Sequence, residues 1–397
     1  MDKKIGLLIV GVNGAIASTA IAGVEAIKRN LAKPTGLLTE TEAVAGVDLV
    51  KLSNIKFGGW DIVQEPHFQC LKKHGILEES LITKLEKEPY DIDFFSAPRT
   101  GITNHIMNID STMHIDDIMI PVKDAVRQII ENINEFKNKY NLTGCVVVNL
   151  SSTEPRKENL EFLNTIELFE DAVNKNNPDI SSGMIYAYAS IKAHAPFINF
   201  TPSATVDIPA LKQLAEKERV AVAGNDGKTG QTLYKTVIAP MLKWRNLKLL
   251  GWYSTNILGN NDGRVLEDPN HKKTKIMSKT KVLDNILGYD DFYHRVEINY
   301  YPPRGDAKEA WDTIDFQGWL GTNMSMKINW IGEDSILAAP LVIDIMRLLW
   351  AAYERGAYGV VRELAEYFKD PIDCKDHDFS NQILLLQKFI EILKDNN

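Results

Sequence analysis

Apolar residues in the first half of the chain come in short unbroken runs, each followed by a stretch at helical spacing. Ile5–Val10 is a run of six with no polar interruption, which suits a parallel strand buried on both faces. A small-residue helix to about Arg29 follows it. Ile55–Asp61 reads as a second strand, so Thr35–Ser53 is an insertion between first helix and second strand. From Ile115 to Tyr140 the positions Val122, Val126, Ile129, Ile133, Phe136 and Tyr140 recur at helical spacing. Val146–Leu150, Met184–Ala189 and Val220–Ala223 are further strand candidates, with helices over Glu158–Asn174 and Leu233–Trp244. Strands alternating with helices predict an α/β fold with a doubly wound, Rossmann-like parallel sheet.

Past residue 245 the pattern changes. Leu247–Tyr253, Tyr293–Tyr301 and Ser325–Ile331 are longer and partly alternating, which predicts a sheet with one polar or shared face. We place a second, α+β domain at 240–340. Helices over Ile336–Glu354, Tyr358–Phe368 and Asn381–Leu393 end the chain.

Two turns carry candidate chemistry. Gly11-Val12-Asn13-Gly14-Ala15-Ile16 joins the first strand to the first helix, the arrangement that binds dinucleotides. The fingerprint is imperfect: its second and third glycine positions are Asn13 and Ala17, and the first suitable acid is Asp61. A plain structural turn is the other reading. The second turn, Gly224–Thr232, lies between an apolar run and a helix. It aims backbone N–H groups at one spot, with Thr229, Thr232, Gln231 and Lys228 as further donors, so an anion such as a phosphate suits it. An ordinary capped turn gives the same local pattern. Asp226 in that loop predicts a cation, a cofactor ribose or amide, or an ammonium group close by.

Composition narrows the field. The 397 residues carry a net charge of −8, which argues against a general nucleic-acid or membrane-surface partner. Three scattered cysteines, Cys70, Cys145 and Cys374, predict a reducing, cytoplasmic setting. No apolar segment reads as the ~20 residues that span a bilayer. There is no HExxH, paired CxxC or GxSxG. His194 or His294 could serve as a base, although a lone histidine is more often structural. Ser151-Ser152-Thr153-Glu154 ends a predicted strand, where ligands collect, or caps the next helix. Ser254–Gly263 is dense in amides. In His271–Lys281, Lys275 and Lys279 share one helix face at i, i+4 and repel unless an anion lies between them. Gly305-Asp306-Ala307-Lys308 follows a strand. In Glu333-Asp334-Ser335, Asp334 is either a helix cap or a ligand.

Taken together, GNDGKTGQT, NILGNNDG, the Lys275/Lys279 pair, GDAK, EDSILAAPLVIDIMRL and YFKDP resemble the myo-inositol-1-phosphate synthase family, also called inositol-3-phosphate synthase. They stand in the family's order and are densest from 220 to 370. The resemblance implies an isomerase of inositol and phospholipid biosynthesis that turns glucose 6-phosphate into myo-inositol 1-phosphate. Bound NAD would oxidise carbon 5, enolisation and an intramolecular aldol step would close the ring, and the ketone would be reduced again. It implies that Thr229, Gly230, Gln231 and Thr232 hold the phosphate with Lys279 and Lys308 nearby. Lys275 would exchange the proton at the carbon 5 oxygen, and Lys369 would stabilise the carbonyl or enolate.

Asp226, Asn256, Asp262, Asp306 and Asp334 would position nicotinamide, ribose, sugar hydroxyls or a cation. The cofactor set adds Gly11, Asn13, Gly14, Ala15, Ile16, Asp61, Ser152, Thr153, Leu258 and Ser335. A monovalent cation (ammonium or potassium) or a divalent one, on Asp226 or Asp262, is also implied, as is a homotetramer built through the second sheet. Because Lys369 belongs to the final region, residues 341–397 are expected to fold back onto 1–239, leaving 240–340 as the catalytic and tetramerisation domain. Rival readings are an NAD-dependent sugar-phosphate dehydrogenase and a non-catalytic sensor of NAD or sugar phosphate.

Overall fold

The structure is a computed structural model. It describes residues 3–62, 64–100, 119–156, 160–259 and 282–395. The first of its two sheets is all parallel. Its strands are β1 (Ile5–Val10), β2 (Ile55–Asp61), β3 (Ile92–Ser96), β4 (Gly144–Asn149), β5 (Phe197–Asn199), β6 (Ala221–Gly224) and, from far along the chain, β11 (Gly359–Val360). Their order is β3-β2-β1-β4-β5-β6-β11, the dinucleotide-binding order with one added strand. β1 is buried along its whole length, as an unbroken apolar run between two neighbours and two helical layers requires.

One face of this sheet packs on the helix Ala15–Lys28 and on two helices from the end of the chain, Asp334–Glu354 and Phe379–Lys394. The other face is covered by Val122–Tyr140, Ile166–Asn174, Ser182–Lys192 and Pro209–Lys217. Closeness of the layers shows at Gly144, where an added Cβ would lie 2.2 Å from the Trp350 ring. The insertion expected at 35–53 is a string of short 3-10 turns. It is latched by Asp344, which accepts hydrogen bonds from Leu38 N and Thr39 N.

Several expectations change. Met184–Ala189 is not a strand but the middle of the helix Ser182–Lys192, capped by the Ser181 hydroxyl. Gly183 to Ile191 are all buried, so no polar stripe marks the helical period. The strand itself is β5, three residues long. The helix expected from Glu158 starts at Ile166, capped by Thr165, after a 3-10 turn at Glu161–Leu163. Tyr358–Phe368 is β11 followed by the 3-10 turn Arg362–Tyr367. The helix expected from Ile115 is described from Val122; residues 101–118 lie outside the described residues. Asp334–Glu354, with 21 residues, is long and apolar enough to cross a membrane, contrary to the reading that no segment is. Here 78% of its apolar window is buried inside the protein, between the sheet and neighbouring helices.

The second sheet contains β7 (Lys248–Leu258), β8 (Tyr293–Tyr300), β9 (Ala307–Gln317) and β10 (Asn323–Glu333), in the order β10-β9-β7-β8. Only the β7–β8 pair is parallel. One face packs on the helix Gly230–Trp244 and on the helix at 282–287. The other face leaves Tyr253, Tyr293, Trp311 and Ile331 exposed. β9 was not among the expected strands.

Candidate active site

The loop after β6 is held by backbone hydrogen bonds to a distant segment. Asn225 N donates to Asp370 O (3.0 Å), Asp370 N to Asn225 O (3.2 Å), Lys228 N to Tyr367 O (2.8 Å) and Lys369 N to Asp226 O (2.6 Å). Asp226 takes the left-handed conformation, φ +60°, which short polar side chains tolerate. This pairing brings the Lys369 ammonium to Asp226, with Nζ 2.9 Å from Oδ1 and both side chains buried. Among the described residues, nothing hydrogen-bonds to the buried Asp226 Oδ2.

A second pair stands on the other side of the same turn. Lys308, near the start of β9, places Nζ 3.2 Å from both Asp334 oxygens, and the Thr229 hydroxyl donates to Asp334 Oδ1 at 3.1 Å. Asp334 therefore does not act as the helix cap. Asp306 does that work, accepting from Ser335 N (2.9 Å) and Ser335 Oγ (2.8 Å). Lys308 also lies at the helix start: a Cβ added to Gly230 would be 4.0 Å from its Cδ.

Two lysines, each steadied by an aspartate, thus border the point where Gly230–Trp244 begins. The N–H groups of Gly230, Gln231 and Thr232 have no intrahelical acceptor, and the dipole adds positive potential there. An anion is favoured at that point, as is any oxyanion that develops beside it.

Other expected residues are placed differently. Lys228, read as a cation for the cradle, points inward instead. Its Nζ donates to Gln382 Oε1 at 2.7 Å, and burial pushes its ammonium down to about 8. The Gln231 carboxamide also turns inward, so its contribution to an anion here is its backbone N–H. Asn256 Nδ2 donates to Gln231 Oε1 at 3.0 Å, which sets Asn256 beside the helix start. Leu258 is buried against Val296 and Ile298. His294 Nε2 lies 3.0 Å from Lys235 Nζ, and burial, with that ammonium, holds the imidazole down at about 3. His194 is an exposed turn residue with φ +53°. Asp262, Lys275 and Lys279 lie outside the described residues.

The dinucleotide turn sits at the end of β1. Gly11 has φ +87°, and a Cβ there would stand 3.3 Å from Leu150 O. Its N–H and that of Val12 donate to Trp60 O. Asn13 N donates to Asp61 Oδ2 at 2.8 Å, which ties the turn to the acid ending β2. Gly14 caps the helix that Ala15 and Ile16 open. Ser152 and Thr153 follow β4, the neighbour of β1, at the point where the strand order reverses. A backbone conformation that favours glycine at Gly11, and an acid at the second strand's end, fit a dinucleotide with free ribose hydroxyls.

The sequence reading missed Asp312, whose carboxylate gathers several donors beneath the helix start, and Lys235, buried one turn further along. Asp312 alternates with Lys308 and Ala310 along β9. That spacing would have marked it had β9 been read as a strand.

Known proteins resemble this chain over nearly its whole length. The family model for myo-inositol-1-phosphate synthase matches residues 5–391. Inositol-3-phosphate synthase 1 of Bacteroides thetaiotaomicron is 38% identical over 398 residues, covering 96% of this chain and 91% of that protein. The inositol-3-phosphate synthase of Saccharomyces cerevisiae is 29% identical, covering 87% of this chain and 73% of its own. The crystal structure of inositol-3-phosphate synthase from Caenorhabditis elegans superimposes with a TM-score of 0.89 at 25% identity, covering 99% of this chain and 86% of that one. The chain therefore belongs to the myo-inositol-1-phosphate synthase family, and is an NAD-binding isomerase of the inositol-3-phosphate synthase type.

Proposed function

We propose that the chain converts D-glucose 6-phosphate into 1L-myo-inositol 1-phosphate with no net redox change. The observation that carries this is the meeting of Lys308–Asp334 and Lys369–Asp226 at one helix N-terminus. NAD, when bound, supplies a hydride acceptor and donor for carbon 5. Gly11, Asn13, Gly14, Ala15 and Ile16 would hold it, with Asp61 on the adenosine ribose and Ser152, Thr153, Asn256, Leu258 and Ser335 along its length.

The side chains supply position and charge. Thr229, Gly230, Gln231 and Thr232 take the phosphate, and Lys308 offsets its charge. Lys369 holds negative charge on the carbon 5 oxygen while a proton leaves carbon 6 and carbon 6 bonds to carbon 1. Asp226 and Asp334 aim the two ammonium groups, and Asp306 fixes the helix that carries Asp334. By motif, Lys275 exchanges the proton at the carbon 5 oxygen and Lys279 joins the phosphate.

Among the described residues no group of three or more His, Cys, Asp or Glu side chains is placed to hold a metal ion, so a divalent cation has no ligand set there. Asp226 Oδ2 suits a monovalent one, potassium or ammonium, and activity titrated with either salt tests this. We read 1–239 plus 341–397 as one domain and 240–340 as the other. The apolar outer face of the second sheet supports a homotetramer, which a native-mass measurement checks. We place the enzyme in the cytoplasm, without nucleic-acid or membrane partners.

Incubation with glucose 6-phosphate and sub-stoichiometric NAD is the test. The expected result is an inositol phosphate with no lasting rise in NADH absorbance. NADH formed in step with a lactone would establish the dehydrogenase reading instead.

A further inference from the structure

Side chains alternate along β9, so Lys308, Ala310 and Asp312 share the face that meets the helix Gly230–Trp244, and all three are buried. The Asp312 carboxylate collects donors from two other elements. Gln231 Nε2 donates to Oδ1 at 3.2 Å and to Oδ2 at 3.0 Å. Trp252 Nε1 and Ser254 Oγ donate to Oδ1 at 2.6 Å and 2.5 Å. The Tyr234 hydroxyl donates to Oδ2. The acceptor end of the Gln231 carboxamide is also engaged, by Asn256 Nδ2. An amide held at both ends cannot swing.

We infer that Asp312 is a positioning residue: by clamping the Gln231 carboxamide it fixes the first turn of the Gly230–Trp244 helix, so that the N–H groups of residues 230–232 stay aimed at the substrate phosphate. The chemistry requires a carboxylate. It accepts only, and its two oxygens have lone pairs for all of these donors, whereas an asparagine would turn an NH2 group toward some of them. A negative group so close beneath an anion site is poor as a ligand, which is why its role is to hold the turn. Its charge is opposed by Lys235, a buried ammonium one helical turn beyond Gln231, whose Nζ lies 5.5 Å from the Trp252 ring centre. This inference rests on reading Thr229–Thr232 as the phosphate cradle.

The test uses the full chain with saturating NAD. It compares Thr232→Ala, Asp312→Asn, Gln231→Ala and the double variant Asp312→Asn/Gln231→Ala. KM for glucose 6-phosphate, Ki for inorganic phosphate, kcat and NAD affinity are read for each. Asp312→Asn is expected to raise KM and Ki about tenfold, with NAD affinity held within about twofold. In the Gln231→Ala background the same change is expected to add less than about twofold, because the group it acts through is gone. Equal effects in both backgrounds, or an unchanged phosphate Ki, overturn the inference. Should Asp312→Asn fail to fold, Gln231→Met removes the clamped amide at similar volume, and an unchanged Ki there also overturns it. Thr232→Ala separates the two levels. If it leaves Ki unaltered, the cradle reading falls together with this inference; if it weakens phosphate while Asp312→Asn does not, this inference alone falls.

Discussion

Replacing Lys369 with alanine is expected to lower kcat by about three orders of magnitude or more while NAD still binds. The ammonium sits 2.9 Å from Asp226 in a buried setting. There a fixed positive charge acts on a developing oxyanion with little screening by water. The turn we propose for the cofactor is built by other segments, Gly11–Ile16 with Asp61, so NAD affinity has no reason to follow. Removing the ammonium also strands a buried carboxylate, and the protein should lose stability as well. Product formation in single turnover, NAD titration and a melting curve, measured on the same preparation, separate these effects. Full turnover in the variant would remove Lys369 from the chemistry. The same result is expected for Lys275→Ala on the strength of its motif.

Asp344→Ala is expected to destabilise the protein by about 3–5 kcal/mol. Asp344 is 1% exposed. Its carboxylate accepts from Leu38 N (2.8 Å), Thr39 N (3.0 Å) and Thr39 Oγ1 (2.5 Å). One turn on, Arg347 donates to Val50 O and Thr39 O and pairs with Glu40 at 2.6 Å. These two side chains bind the insertion between first helix and second strand to the long C-terminal helix. Alanine leaves the Leu38 and Thr39 N–H groups and the Thr39 hydroxyl without that acceptor, while Arg347 keeps its pairing with Glu40. Denaturant unfolding checks this, with Asp344→Asn expected to lose less because it keeps one acceptor oxygen. A loss under about 1 kcal/mol in the alanine variant would mean that the latch is replaced by water or does not hold the insertion.

Much of the architecture could be read along the chain. β1, β2, β6 and the helix Gly230–Trp244 follow from unbroken apolar runs, glycine turns and helical spacing. What misled was burial without a polar face. The helix Ser182–Lys192 is buried on all sides and shows no period, while β5 is too short to register. β9 does not show itself in the sequence because its polar inward positions, Lys308 and Asp312, break the apolar alternation that marks a strand. Both lie against the start of the Gly230–Trp244 helix, where we propose the substrate phosphate binds, so the pattern fails at the proposed site.

Local devices follow from the order of residues along the chain: the glycine turn after β1, the acid closing β2, the polar turn ahead of Gly230, and the lysine-bearing motifs. Each is built within about ten residues, where backbone geometry and neighbouring side chains set the outcome. How they combine depends on contacts between segments far apart in the chain. Lys369 meets Asp226 across 143 positions because the segment after Tyr367 pairs with the loop after β6. Lys308 meets Asp334 because β9 and β10 run antiparallel beside the same helix start. Long-range packing also turns Lys228 to Gln382 and makes Asp306, rather than Asp334, the cap of the helix Asp334–Glu354. A charged side chain in a dry interior takes the partner that the packing of distant elements places within reach, and no local pattern records that choice.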